Sequence, residues 1–171
     1  FWKTWVELRR QNSRIEHLSS TAGKGVVISG NHRMQYTWKR TGQRPADGWP
    51  LFINLHGGGN NKEMNDRAWK MAWEWYEIPT GYHVCPRAPV DEVESWIMQP
   101  MYPLLGELLK DFLALMDVDA NRVYLLGFSM GGWGSLHLGP VLADHWAAVG
   151  ASAGGGFVRR SPPQNLLHTP M

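Results

Sequence analysis

Ser129 stands in the run Gly127-Phe128-Ser129-Met130-Gly131-Gly132, between the apolar stretch Val123-Tyr124-Leu125-Leu126 and a segment of helical character from Trp133 to Leu142. A serine hydroxyl is a weak nucleophile unless it is positioned and activated, and a sharp strand-to-helix turn is a way to hold it exposed. Such a turn crowds its neighbours, so that glycine is needed on both sides of the serine. Ser129 is therefore the candidate nucleophile. Alone the pattern is weak, because an ordinary Gly/Ser turn has the same spelling and this chain has 19 glycines. About seventy residues upstream, however, Leu51-Phe52-Ile53-Asn54-Leu55 runs straight into His56-Gly57-Gly58-Gly59-Asn60. A buried strand ending in His-Gly-Gly-Gly is suited to gather backbone N–H groups around a developing oxyanion. Gly57, Gly58, Gly59 and the amide of Met130 are the candidate donors.

The elements that must position these residues follow from periodicity. Residues 1–18 read as a surface helix, and Gly25–Ser29 and Arg33–Lys39 as two strands joined by a turn at Gly30-Asn31-His32. A polar loop over 40–48 leads to the strand before the glycines. Trp69, Ala72, Trp73 and Tyr76 recur at helical spacing, marking a helix on a sheet, and Gly81–Cys85 is the next strand. The rows Leu104, Leu108, Phe112, Met116 and Leu105, Leu109, Leu113 give a helix with a broad apolar face, ending before a turn at Asp117 to Asn121. Such a helix is the crossover that parallel strands require. After the elbow, Trp146–Ser152 reads as a sixth strand, with an exit loop at Ala153–Phe157.

The stretch Val118-Asp119-Ala120-Asn121-Arg122-Val123-Tyr124-Leu125-Leu126-Gly127-Phe128-Ser129-Met130-Gly131-Gly132, together with the His-Gly-Gly-Gly loop, resembles the α/β-hydrolase superfamily. Within it the similarity is to esterases of the polyhydroxybutyrate depolymerase, feruloyl esterase and esterase D groups, extending loosely from about residue 24 to the end. The resemblance implies a three-layer α/β sandwich with a mostly parallel sheet, and an esterase acting through an acyl-enzyme on Ser129. It also implies a pocket near Trp96, in the loop after the fourth strand, although a tryptophan covering the core is an equal reading in a chain with 10 tryptophans. His56 and Asn60 are further candidates for that pocket. His56 suits a loop-fixing role better than a catalytic base, and Asn60 and Asn61 are placed to brace the glycine loop or to serve as turn residues. Arg159 and Arg160 either face an anionic substrate or are simply solvated.

In the family the acid follows strand seven and the histidine strand eight, in the order Ser, Asp or Glu, His. Downstream of Ser129 the sequence offers only Asp144 as an acid and His137, His145 and His168 as bases. A continuous helix would carry Asp144 roughly 20 Å from Ser129 and His137 roughly 12 Å along. These histidines read as helix-packing or surface residues. Both missing members are expected beyond Met171, so residues 1–171 are expected to be the N-terminal portion of the domain, lacking the last two strands. Trp146, Val149 and Phe157 would then be left partly uncovered at the sheet edge, which a complement from the same or a second chain would close.

Composition supports one globular domain: 171 residues, 43% hydrophobic and 19% charged. A net charge of +2 is too small to point to nucleic acid or an anionic membrane. No apolar run approaches the roughly 20 residues of a membrane span. The single cysteine, Cys85, leaves the redox compartment open. A first residue Phe1 suggests an upstream segment removed by signal cleavage or other processing, which is compatible with secretion without demonstrating it; localisation stays open, with an extracellular or periplasmic place slightly favoured. No metal-ligand spacing and no dinucleotide glycine pattern is present, so neither metal nor cofactor is expected. A small-molecule or polymer-linked ester is the expected substrate. The competing classes are a serine peptidase or acyltransferase of the same fold and a non-catalytic module.

Overall fold

The computed structural model describes residues 2–12, 20–155 and 162–171. Among these, six strands form one sheet in the order β1-β2-β4-β3-β5-β6. They are β1 Ala22–Ser29, β2 His32–Thr41, β3 Trp49–Leu55, β4 Gly81–Pro86, β5 Val118–Phe128 and β6 Ala148–Ser152. β1 and β2 form the expected hairpin about Gly30, at φ +57°, and β2 is antiparallel to β4. The remaining pairings are parallel. Their crossovers carry α2 Lys62–Met71, α3 Met101–Leu115 and α4 Met130–Val141. The first helix, α1, runs from Trp2 to Asn12. The rest of the stretch read as helical, and Phe157, Arg159 and Arg160, lie outside the described residues. No helix among the described residues is long and apolar enough to cross a membrane.

Several strand ends shift by one to three residues, β1 starting at Ala22, β2 running to Thr41 and β6 starting at Ala148, and two other boundaries change the reading. α2 stops at Met71, and Ala72–Glu74 tighten into a 3-10 turn. Trp69 and Trp73 still reach the sheet: the Trp69 indole donates to Cys85 O at 2.7 Å, and Trp73 lies edge-on to His83 at 4.8 Å. The expected turn at 117–121 is the beginning of β5. Asp117, at φ +54°, turns the chain, and Val118 pairs with Trp49 before an irregularity in register that ends at Leu51 opposite Val123. The Asp119 carboxylate accepts from the amide of Asn121, and this local polar bond is why the segment reads as a turn.

Alternation along the strands divides the sheet into two faces. Met34, Tyr36 and Trp38 of β2, Leu51, Ile53 and Leu55 of β3, Tyr82 and Val84 of β4, Val123 and Leu125 of β5 and Val149 of β6 belong to one core. α3 covers it with Leu104, Leu105, Leu108, Leu109 and Phe112. Tyr36, Trp38, Tyr82 and Phe112 meet there in tilted and edge-to-face contacts, the geometry aromatic quadrupoles favour. α4 is apolar around its circumference and accordingly buried around it: of Met130 to Pro140 only Trp133 is exposed. The opposite face carries Asn54, His83 and Cys85 beneath α2 and the turn that follows it.

The edge at β6 corrects an expectation. Trp146 and Val149 are 6% and 1% exposed. Trp146 lies under α4, with its indole near Leu138 O at 3.5 Å, while the segment 162–171 folds back along the edge. Val149 N donates to Pro170 O at 2.9 Å, Asn165 donates to Pro140 O at 2.9 Å, and Leu166 enters the core. The tail thus occupies part of the edge that a further strand was expected to cover.

Arg9 fastens α1 to α3. Arg9 donates to Asp111 Oδ1 at 2.6 Å and to Glu107 Oε2 at 2.5 Å, and the Asp111 side chain is 4% exposed. Burial raises the Asp111 pKa above the ordinary carboxylate value, against the opposing pull of Arg9. Removing the guanidinium leaves a buried carboxylate without its counter-charge, and Arg9→Met is expected to cost about 2 kcal/mol at pH 7. Without Arg9 the folded pKa of Asp111 rises further, so the penalty is absent below the unfolded pKa and grows as pH rises through the folded one. Urea unfolding of wild type and variant at pH 4 and pH 7 measures this: the deficit is expected to shrink in acid.

Candidate active site

Ser129 is the N-terminal cap of α4 and has φ +55°, ψ −115°, a conformation costly for a residue with Cβ. Three approaches force the turn. A Cβ at Gly127 would stand 2.0 Å from Gly131 O, one at Gly131 1.9 Å from Leu55 O, and one at Gly132 2.6 Å from Ser152 O. The strained peptide is held by Ser129 N donating to Ser152 O at 2.8 Å and by Trp133 N donating to Ser129 O at 3.1 Å. Beneath it, the Tyr76 hydroxyl is 2.9 Å from both Gly127 O and Ser152 Oγ. The carbonyl can only accept, so Tyr76 gives its proton there and receives one from the Ser152 hydroxyl.

β3 is paired with β5 so that Leu55 lies opposite Gly127, which brings the His56-Gly57-Gly58 stretch beside Phe128 and Ser129. A Cβ at Gly57 would be 3.2 Å from Phe128 O and 3.3 Å from the Ser129 Cβ. Gly58, at φ +141°, presses on Asn65: a Cβ there would meet Asn65 Oδ1 at 2.0 Å. Asn65 was missed in the sequence. Its amide group accepts from Gly59 N at 3.0 Å and donates to Gly59 O at 3.1 Å and to Asp91 Oδ1 at 2.9 Å. Asp91 is paired in turn with Arg87, which also reaches Asp66 at 2.9 Å. The hydrogen bond from Asn65, then Arg87, holds the Asp91 carboxyl below its ordinary pKa. Gly59 is therefore corrected as an oxyanion donor, because its N–H is already committed to Asn65. The signal was available: Asn65 is a polar residue on the inward side of an amphipathic helix.

The three candidate pocket residues separate. His56 is fully buried, its Nε2 accepting from Ala88 N at 2.9 Å and its Nδ1 facing Gly57 O. The Ala88 bond leaves the proton on Nδ1, which donates to Gly57 O. Trp96 is also fully buried; its indole donates to His56 O at 2.9 Å and lies edge-on to the imidazole at 5.1 Å. Both are corrected as pocket-lining residues, since they fix the glycine loop from inside. Asn60 is exposed and accepts from Val93 N at 3.2 Å, and Asn61 caps α2 by accepting from Met64 N at 2.9 Å.

Two cavities flank Ser129. One, of about 320 Å³, lies between the glycine loop, α2 and Phe128, and its walls include Met64, Arg67, Met71 and Trp75. The other, of about 250 Å³, is bounded by Gly58, Val93, Met130, Trp133 and Ala153. Gly58 and Ser129 border both.

No histidine or carboxylate among the described residues is hydrogen-bonded to the Ser129 hydroxyl. Burial lowers the pKa of His56 to about 4, and that of His83, fully buried near Cys85 and Asn54, to about 4. His137 is buried, stacked on Tyr102 and 2.7 Å from its hydroxyl, and burial lowers its pKa as well. Asp144 and His145 precede β6, at the opposite end of the sheet from Ser129, and His168 lies near the tail carbonyl that meets Val149.

No family model matches the chain, and no curated protein matches it by sequence. Solved structures do. A thermostable esterase superposes with a TM-score of 0.60 at 18% identity, covering 84% of this chain and 43% of that one. The enterobactin esterase of Shigella flexneri gives 0.57 at 16% identity, over 85% of this chain and 40% of that one. The acylaminoacyl peptidase of Pyrococcus horikoshii gives 0.52 at 14% identity, over 85% and 24%. The chain has the α/β-hydrolase fold. It spans less than half the length of each of these α/β-hydrolase structures. Within the fold, Ser129 stands at the turn between β5 and α4, and Tyr76, Asn65 and Asp91 are the supports that pattern reading left out.

Strain and capping at Ser129 together make a prediction. At an ordinary N-cap glycine is already preferred to alanine, and at φ +55° the absence of a Cβ adds to that preference. Ser129→Gly is expected to be more stable than Ser129→Ala by about 1 kcal/mol, read from paired denaturant melts.

The buried His56 and His83 make another. Their folded pKa values lie below the unfolded value, so the stability they contribute is present above pH 6.5 and is lost as pH falls toward 4. At pH 5 each is expected to cost about 2 kcal/mol relative to pH 7.5. Urea unfolding across this window checks it, and His83→Asn should remove the His83 share of the slope while leaving that of His56 and His137.

Proposed function

We propose that this protein hydrolyses carboxylic esters through an acyl-enzyme formed on Ser129. The observation that carries the reading is a strained, accessible serine sharing a cavity with Gly58 and with the first amide of α4. The hydroxyl attacks the ester carbonyl carbon, and its proton passes to a base as the carbonyl electrons move onto oxygen. That oxygen is received by the N–H of Met130 and by an N–H of the Gly57-Gly58 stretch. Met130 is the first residue of α4, where amides have no partner within the helix, and the helix dipole adds positive potential there. Each such donor is typically worth about 3 kcal/mol in the transition state. Collapse of the intermediate expels the alcohol, and water then attacks the acyl-serine by the same route.

The general base and its carboxylate are assigned to sequence outside the described residues, completing the sheet beyond β6. This agrees with the buried and engaged state of His56, His83 and His137. Asn65, Asp91 and Arg87 are assigned to hold the glycine loop in its receiving geometry, and Tyr76 to hold the elbow.

A fluorophosphonate probe followed by peptide mapping, on full-length protein, tests the nucleophile. Labelling is expected at Ser129 and is expected to vanish in Ser129→Ala, with 4-nitrophenyl butyrate turnover falling at least about a thousandfold. Labelling that persists in Ser129→Ala assigns the chemistry elsewhere. Preferential turnover of a matched 4-nitroanilide would transfer the reading to a peptidase.

A further inference from the structure

We propose that the slot beside Ser129 selects esters whose apolar group ends in a negative charge, with Arg67 the residue that meets the charge. This rests on Ser129 being the nucleophile. Met64, Arg67, Ala68 and Met71 fall three, four and seven residues apart on α2 and so share one side of it, the side that lines the slot. The opposite wall is Trp75 against Phe128, with ring centroids 4.8 Å apart. Met64, Met71 and Phe128 are 50%, 37% and 37% exposed, so the slot leaves apolar surface for a ligand to cover. Flexible, polarisable methionine side chains suit such a wall.

Into this apolar setting α2 introduces one cation. Arg67 forms no ion pair and no hydrogen bond with any described residue, whereas Arg9, Arg44, Arg87 and Arg122 each hold a carboxylate. No carboxylate lines the slot, and Glu63, one turn back on α2, is exposed outside it. Arg67 is exposed at the rim of the slot, and its fork of donors matches a carboxylate or phosphate. A cavity of about 320 Å³ accommodates a short alkyl or phenyl spacer between the ester and that anion.

The charge can sit on the acyl or on the alcohol portion, and two matched substrate pairs distinguish these. Mono-4-nitrophenyl adipate against 4-nitrophenyl hexanoate places it on the acyl group; 4-acetoxybenzoate against its methyl ester places it on the alcohol. With full-length protein, Arg67→Gln is expected to lower kcat/KM for the charged member of one pair about fivefold more than for its neutral partner. Arg67→Lys should recover part of that ratio, and added salt should erode it in wild type. Equal losses on charged and neutral members of both pairs overturn the proposal while leaving the ester reading intact. If no ester is turned over, the ester reading fails by itself and the slot is read by binding. Tryptophan fluorescence is then titrated with 5-phenylpentanoate, with Trp75→Phe identifying the reporting indole. A saturable change lost in Arg67→Gln supports the proposal; no saturable change, or one equal in both proteins, overturns it.

Discussion

The site depends on three backbone segments coming closer than side chains permit. The end of β3, the end of β5 and the start of α4 meet at Leu55, Gly127 and Gly131, where a single methyl group would lie about 2 Å from a carbonyl oxygen. The nearest atoms are backbone, which cannot swing aside, so glycine at 127 and 131 is a steric requirement. That approach sets the glycine loop against Ser129 and tips the serine into its costly conformation. The cost is met locally, by the bonds to Ser152 and Trp133 and by Tyr76 bridging the ends of β5 and β6.

Around this meeting point the protein uses buried polar side chains as framework. Burying such groups is unfavourable unless each is hydrogen-bonded, and the bonds then fix geometry as well as offset desolvation. His56 and Trp96 form one such unit, joining the start of the glycine loop to Ala88 and to the segment Ser95–Ile97. Asn65 forms another, closing both polar groups of Gly59 and passing the restraint to the ions Asp91 and Arg87. The loop is thus held from within by neutral groups and from outside by charged ones. Low pKa values at His56 and His83 belong to this structural use: both rings are kept neutral by burial.

The two faces of the sheet serve differently. One packs aliphatic and aromatic side chains against α3 and α4 and supplies cohesion. The other holds Asn54, His83 and Cys85 under α2, so α2 is tied by polar and aromatic contacts rather than by a deep apolar interface. The same helix then turns its outer side to the slot next to Ser129. A helix fastened in this way can carry recognition residues without sacrificing the core.

Sequence by itself determined the strand pattern, the hairpin, the apolar crossover helix, the elbow glycines and the His-Gly-Gly-Gly loop. These are local requirements: alternation of two, repetition near 3.6, and positions where a Cβ has no room. It misplaced the start of β5, because the Asp119–Asn121 bond looks like a turn until Trp49 is seen opposite Val118. It left open whether His56 and Trp96 face a ligand or the core, whether Gly59 has a free amide, and what lies over Trp146 and Val149. Tertiary structure decided each of these. The deciding partners, Ala88, Asn65, Leu138 and Pro170, lie 6 to 32 residues from the groups they engage, and no periodicity in the chain records which of two polar residues will meet.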